Sequence, residues 1–289
     1  MSLALLSNIA ATKAQRSIMT AGSQLNTAIE RLSSGRRINS AKDDAAGLAI
    51  SSKMNAHIRS LGTASINTSM ATSFLQTADD GYARMQDVLV RLREMAVQGA
   101  TDGTLTSSDR VALNYEYFEI GSEIDRISDS TTFADNNVFS LAQTGSGEET
   151  HTFQVGIFNT DDDRMSVTYS NFHWIGTLRN YDESPQRYID ASLGTLTHSQ
   201  TAIGVIDEAL QWLMSHRHTI GSNLNRLDTT SSNLSGMRMN LSAAHSRITD
   251  ADTATEMRRM TTSRMLADAS VAVLGQANAI PGVILSLLG

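Results

Sequence analysis

IDEALQWLMSHRHTIGSNLNRLDTTSSNLSGMRMNLSAAHSRI, residues 206–248, is the stretch that decides the fold. Within it Ile206, Leu210, Leu213, Arg217, Ile220, Leu224, Leu227, Ser231, Leu234, Arg238, Leu241, His245 and Ile248 alternate steps of four and three without a slip. That alternation averages 3.5 residues, the period at which one face of an α-helix stays turned toward a partner helix. Three of the thirteen seam positions are Arg or His and one is Ser. So polar a seam predicts a long helix packed against several neighbours rather than a leucine zipper.

A matching seam lies upstream. Leu75, Ala78, Tyr82, Met85, Leu89, Leu92 and Ala96 keep the same rhythm, so a second long helix is expected there. A shorter helix is expected from about Val111 to Ile127, with Leu113, Tyr117, Ile120, Ile124 and Ile127 on one face. Near the start, Leu25, Ile29 and Leu32 mark a helical face that Gly35 closes, a glycine being favoured just past a helix end. Ser40 and Asp43 have capping-box spacing and predict that the long second helix begins near Ala41.

The period changes in the middle of the chain. HTFQVGIF (151–158) and RMSVTYS (164–170) are short β-prone runs separated by the turn-forming NTDDD, which predicts a hairpin. Residues 171–194 have no period and read as loop with short strands.

Composition narrows the function. Aromatics are 5% of the chain and proline occurs twice, so few helix breakers interrupt it. The net charge of −7 and the lack of any basic block argue against nucleic acid and an anionic membrane surface as partners. There is no cysteine, which removes disulfides, thiolate metal sites and thiol catalysis.

Both ends are apolar with no local sequence to cover them: Leu3, Leu5, Leu6 and Ile9 at the start, Val283, Ile284, Leu285, Leu287 and Leu288 at the finish. Chain ends are ordinarily polar and frayed, so these nine residues predict a partner that buries them. The first residues, MSLALLSNIAATKAQR, lack a basic segment before an apolar run and do not read as a cleavable secretory signal. IPGVILSLLG (280–289) is too short to span a bilayer, so no membrane insertion is expected.

TAIERLSSGRRINSAKDDAAGLAI (27–50) closely resembles the N-terminal signature of bacterial flagellins. RLREMAVQGATDGT from Arg91, EIDRISDSTTFADNNVF from Glu123 and FQVG from Phe153 resemble the family's next blocks, in order. NLSAAHSRITDADTATEM (240–257) and SVAVLGQANAIPGVILSLLG (270–289) resemble its C-terminus. Many members have an INTN-like stretch near the start, where this chain has SLALLSNIAATKAQ.

The resemblance implies a mainly α fold of long antiparallel coiled-coil helices with a small β-hairpin region in the middle. Residues 1–38 together with 252–289 would form the terminal coiled-coil domain, D0, whose ends are disordered in the family's monomer. Residues 39–251 would form a rod-like helical domain, D1, with its β region around 138–195. Only about 50 residues separate FQVG from the C-terminal heptads, which leaves no room for large outer domains. The implied function is a structural subunit that polymerises with itself into the extracellular flagellar filament for swimming motility. Implied partners are the flagellar type III export apparatus and an export chaperone, hook-associated and cap proteins. A hook–filament junction protein of the same axial family is the alternative; those proteins often carry proline in the SAKDDAAG block, where this chain has Ala41 and Ala45.

Several flagellins are also recognised by an innate Toll-like receptor, and the block similar to that epitope is Arg91, Glu94, Met95 and Gln98, with Glu116 on the next helix. The same residues lie where neighbouring subunits would pack. Arg258 and Arg259 stand where members are often small or polar; if they face the filament channel, its lining is more basic than is usual in the family.

No residue pattern points to catalysis, a cofactor or a metal. HExxH, GxSxG and Walker spacings are missing. Asp161, Asp162 and Asp163 lack calcium-loop spacing and read as a solvated hairpin tip. His216 and His218 are two apart and point to different helix faces, so both cannot ligate one ion. Asn67, Asn233 and Asn240 match the N-glycosylation pattern but fall in expected helices.

Overall fold

The computed structural model describes residues 8–103, 105–139, 148–170 and 192–288. Side chains from 280 onward are outside the description. The elements in chain order are α1 (Ile9–Ser34), α2 (Ala45–Gly99), α3 (Ser107–Ser130), β1 (Thr132–Phe133), β2 (Asn136–Asn137), β3 (Glu148–Gln154), β4 (Arg164–Ser170), α4 (Leu196–Thr249) and α5 (Thr253–Leu288). They divide into two compact units, Ser60–Arg238 and Met1–Arg59 with Met239–Gly289.

The larger unit is built on the two seams read in the sequence. Leu75, Ala78, Tyr82, Met85, Leu89, Leu92 and Ala96 of α2 are all fully buried, as are Ile206, Leu213, Ile220 and Leu227 of α4. Arg217 holds a charged seam position of this unit. Its Nε and Nη2 donate to Asp79 at 2.8 and 3.2 Å, and its Nη1 donates to the Gln86 side chain at 2.8 Å. Arg93 pairs with Asp207 at 2.6 Å farther along the same two helices, fixing them antiparallel and in register.

Helix α3 lays Leu113, Tyr117, Ile124 and Ile127 into this core. Its start is a reciprocal capping box: Thr106 Oγ1 accepts from the Asp109 amide and Asp109 accepts from the Thr106 amide. The close crossing of α2 by Phe139 requires Gly81, where a Cβ would stand 2.6 Å from the Phe139 ring. Burial pushes the phenol pKa of Tyr82 and Tyr117 upward, so both stay neutral.

The expected hairpin is present. β3 and β4 pair antiparallel from Glu148 opposite Ser170 to Gln154 opposite Arg164. Met165 and Val167 face the core, and Phe153 packs on Phe74 with centroids 5.6 Å apart. Residues 171–191, expected to be loop with short strands, lie outside the described residues. β1 and β2 make a second, two-residue hairpin whose turn, Ala134 and Asp135, has positive φ at both positions.

The smaller unit pairs α1 with α5. On α1 the inward positions are Ala11, Ala14, Ile18, Ala21, Leu25, Ala28 and Leu32; on α5 they are Glu256, Met260, Ser263, Ala267, Ser270, Leu274 and Ala277. Both sets alternate threes and fours. Asn8 donates to the Ala277 carbonyl at 2.8 Å while Arg31 lies 3.5 Å from Glu256, so the helices run antiparallel.

Two expectations shift here. Ile29 is 47% exposed, and Ala28 takes the inward position, because the heptad of α1 runs through 25, 28 and 32. Ser40 and Asp43 do not cap α2. The Asp43 carboxylate instead accepts from the Asn39 and Ser40 amides in a turn, and α2 begins at Ala45 with Asp44 accepting from the Gly47 amide at 2.8 Å. Two acidic residues in succession offered two caps, and the second one leads directly into the buried face.

Candidate assembly surface

In the smaller unit, both helix breaks are sewn together. Gly35 ends α1 in the left-handed conformation at φ 68°. The Arg37 amide then donates to the Thr249 carbonyl at 2.6 Å, and the Ala251 amide donates to the Gly35 carbonyl at 2.9 Å. Arg37 Nη2 reaches the Ile248 carbonyl at 2.8 Å, satisfying a carbonyl at the end of α4.

Asp250 and Asp252 hold the other side of that junction. Asp250 accepts from Ser246 Oγ and Thr249 Oγ1, and these hydrogen bonds, with the positive charge of Arg36 nearby, hold its carboxyl below the usual range. Asp252 caps α5, accepting from the Thr255 hydroxyl at 2.8 Å and the Ala254 amide at 3.0 Å, and its pKa is lowered for the same reason.

Just inside α5, Glu256 is buried. It accepts from Arg259 Nη1 at 2.7 Å and faces Arg31 at 3.5 Å, while Asp43 stands 4.0 Å from the same Arg31. The α1–α5 seam therefore has a buried carboxylate at one end and alanines at its most buried apolar positions, Ala14, Ala21, Ala28 and Ala277. Small seam side chains bring two helices close but bury little apolar area, so this pair has a thin interior.

Its outside is the opposite. Met257, Met265, Leu266, Val271 and Val273 on α5 are each more than half exposed, and Ile9, Met19 and Ile29 stand out from α1. At 100° per residue the five α5 side chains point in several directions around the helix rather than into one stripe. Large apolar side chains exposed on several sides of a helix ordinarily mark surfaces that partners cover. Among the described residues of the smaller unit, nothing covers them.

The predicted terminal residues divide by what is described. Ile9 is 63% exposed. Leu3, Leu5 and Leu6 are outside the described residues. Val283, Ile284, Leu285, Leu287 and Leu288 belong to α5 by backbone, with side chains not described.

The second group of predicted residues separates. Arg91 is exposed and bridges Glu94 at 3.0 Å and Glu116 at 3.6 Å, and Gln98 is exposed as well. Met95 is 1% exposed, one of the core residues beneath them. It sits a helical turn from Arg91, but on the far side of the seam boundary set by Leu92 and Ala96. Val90 and Val97 on α2 and Val111 and Tyr115 on α3 are exposed apolar side chains of the same helices. The gap they leave in each heptad is the only signal that marks them.

Other candidates resolve plainly. Asp163 is absorbed in the hairpin tip, accepting from Thr160 Oγ1 at 2.7 Å, and Asp161 pairs with Arg164. His216 packs on Trp212, centroids 4.1 Å apart, while His218 is exposed. Asn67 lies in α2, donating to the Gln154 carbonyl at 3.1 Å, and Asn233 and Asn240 lie in α4. No group of three His, Asp or Glu among the described residues is placed to hold a metal ion. No helix among them is long and apolar enough to cross a membrane.

Comparison with known proteins gives two family matches: the bacterial flagellin N-terminal helical region over residues 5–144 and the C-terminal helical region over 203–288. A flagellin of Halalkalibacterium halodurans is 38% identical over 281 residues, covering 97% of this chain and 98% of that one. A flagellin of Listeria monocytogenes is 34% identical over 286 residues with the same coverage. The flagellar filament 33 kDa core protein of Treponema phagedenis is 34% identical over 298 residues, again covering 97% and 98%. The crystal structure of Bacillus cereus flagellin aligns with a TM-score of 0.46 at 28% identity, covering 62% of this chain and 94% of that one.

Proposed function

The chain belongs to the bacterial flagellins and is a structural subunit of the flagellar filament, and from that premise we propose how its surfaces are used. It is a building block rather than an enzyme, and it assembles with copies of itself. Nothing favours the hook-junction alternative.

The proposed division of labour assigns residues 1–38 and 252–289 to a terminal coiled-coil domain and 39–251 to a rod-like helical domain that includes the small β region around 138–195. The apolar residues Leu3, Leu5, Leu6, Ile9, Val283, Ile284, Leu285, Leu287 and Leu288 pack against other subunits. The observation that carries this reading is α5, which leaves Met257, Met265, Leu266, Val271 and Val273 exposed on several sides while pairing with α1 on one side only. Burying an exposed methionine, leucine or valine is worth about 1.5–3 kcal/mol. Five such side chains on one helix, repeated in every subunit, therefore favour a closed lattice strongly.

The further partners proposed are the type III export apparatus, an export chaperone, and the hook-associated and cap proteins. Export through that apparatus places the filament outside the cell. A Toll-like receptor is proposed to read the exposed Arg91, Glu94, Gln98 and Glu116 on α2 and α3. Met95 supports that surface from beneath.

Deleting Val283–Gly289 tests the reading of the ends. The truncated subunit is expected to keep its helical circular dichroism and fail to form filaments by electron microscopy. Normal filaments from the truncated chain would refute the assignment of the C-terminal apolar residues.

A further inference from the structure

With no cysteine in the chain, methionine supplies every sulfur atom. Twelve of the thirteen methionines lie among the described residues. Met85, Met95 and Met165 are buried, Met54 and Met260 are half-buried, and Met19, Met70, Met214, Met237, Met239, Met257 and Met265 are exposed. Thioether oxidation follows exposure, so the chain carries a protected set and a vulnerable set.

Three of the vulnerable set occupy the smaller unit's helix pair. Met257 and Met265 are on α5 among the apolar side chains that point all round it, and Met19 is on α1. Asn8 against Ala277 and Arg31 against Glu256 set the antiparallel register. That register puts Met19 near the level of Met265 and Leu266.

Resting on the filament reading, we propose that Met19, Met257 and Met265 are modification sites through which two-electron oxidants of the peroxide class block polymerisation. The thioether sulfur attacks one peroxide oxygen, the O–O bond breaks, and the second oxygen leaves as water. Sulfur is oxidised by two electrons and the peroxide is reduced. The product, methionine sulfoxide, carries a strongly polar S=O acceptor where the lattice supplies apolar neighbours. An acceptor buried without a donor is costly, on the scale of about tenfold in an equilibrium per site. In an assembled filament the same sulfur atoms are covered and oxidise slowly. The device therefore acts on unassembled subunits and spares the polymer. A methionine sulfoxide reductase reverses it.

The test compares the wild type with a Met19→Leu/Met257→Leu/Met265→Leu variant, leucine conserving volume and polarity. Both are treated as monomers with hydrogen peroxide, oxidation is mapped by mass spectrometry, and critical concentration is measured by sedimentation. Before treatment the two should polymerise alike. After treatment the wild type, oxidised at all three sites, should need on the order of a thousandfold more protein, and reductase treatment should restore it. The variant, still oxidised at Met70, Met214, Met237 and Met239, should shift by less than about threefold.

Equal loss in both proteins, or normal assembly of a wild type oxidised at all three sites, would overturn the proposal. A second measurement holds even if the variant assembles poorly. Peroxide mapping of wild-type filaments should show those three methionines protected at least about tenfold relative to monomer, and equal rates would overturn it. Failure of untreated wild type to polymerise would overturn the filament reading itself, and this proposal with it.

Discussion

Glu256 is a charged side chain in a seam otherwise made of small and apolar residues. Taking a carboxylate out of water is tolerated only because Arg259 donates to it and Arg31 stands beside it. Arg31 is itself mostly covered, and its Nε finds no acceptor among the described residues. Removing the negative charge would leave that guanidinium facing only Asp43, 4.0 Å away. Glu256→Gln is expected to weaken the α1–α5 pair by about 2 kcal/mol, and Glu256→Ala by about 3. The readout is the temperature at which filaments dissociate, which should fall in that order. No change in either variant would show that the buried carboxylate contributes nothing to the pair.

The long helices carry glycine at positions where packing does not ask for it. Gly204, Gly221 and Gly236 of α4 each have open space where a Cβ would stand. Glycine in a helix interior costs roughly 0.5–1 kcal/mol relative to alanine. The three sites are more than about ten residues apart and share no partners, so their effects should add. Replacing all three by alanine is expected to stabilise the subunit by about 2 kcal/mol in urea unfolding.

The junction between α4 and α5 makes a different prediction. Asp250 and Asp252 have folded pKa values depressed by hydrogen bonds to the charged form. A depressed carboxylate contributes stability above its unfolded pKa, about 3.9, and loses it as pH falls through the lower folded value. Melting temperature should therefore drop as pH is taken below about 4, and Asp252→Asn should flatten that drop while lowering stability at neutral pH. An unchanged acid profile in the variant would remove Asp252 from the junction's titration.

At the scale of the whole molecule, the two units have interiors of different quality. The larger buries Tyr82, Tyr117, Phe139 and a run of Leu, Ile and Met side chains. The smaller has Ala14, Ala21, Ala28 and Ala277 as the buried apolar residues of its α1–α5 seam, and leaves Met19, Ile29, Met257, Met265, Leu266, Val271 and Val273 outside. Buried area is what resists local opening, so the units should differ in protection. Hydrogen exchange on the monomer is expected to show α3 and the 71–96 stretch of α2 slow, with α1 and α5 fast. In filaments α1 and α5 should slow by at least about a hundredfold, because binding to copies of the chain stabilises only the ordered form. Equal protection of α1 in monomer and filament would contradict the assembly reading.

The spans of α2, α3 and α4, the hairpin from HTFQVGIF to RMSVTYS and the left-handed Gly35 were legible from periodicity and turn chemistry, since these are local properties of the chain. The family was legible in the blocks at both ends, and relatives aligned over 97% of the chain bear it out. What sequence alone determined is where helices run and which of their faces need partners. The tertiary structure decided which side chain on a face is inside. Leu25, Ile29 and Leu32 share a helical face, yet Ala28 is buried and Ile29 is not, because close approach to α5 selects the small residue at the centre of the seam. Arg91 and Met95 are one turn apart, yet one lies in solvent and the other in the core, because the seam edge passes between them. Asp44 caps α2 in place of Ser40 for the same kind of reason. Periodicity assigns a residue to a face to within about a residue, whereas packing against a neighbour distant in sequence sets the boundary atom by atom.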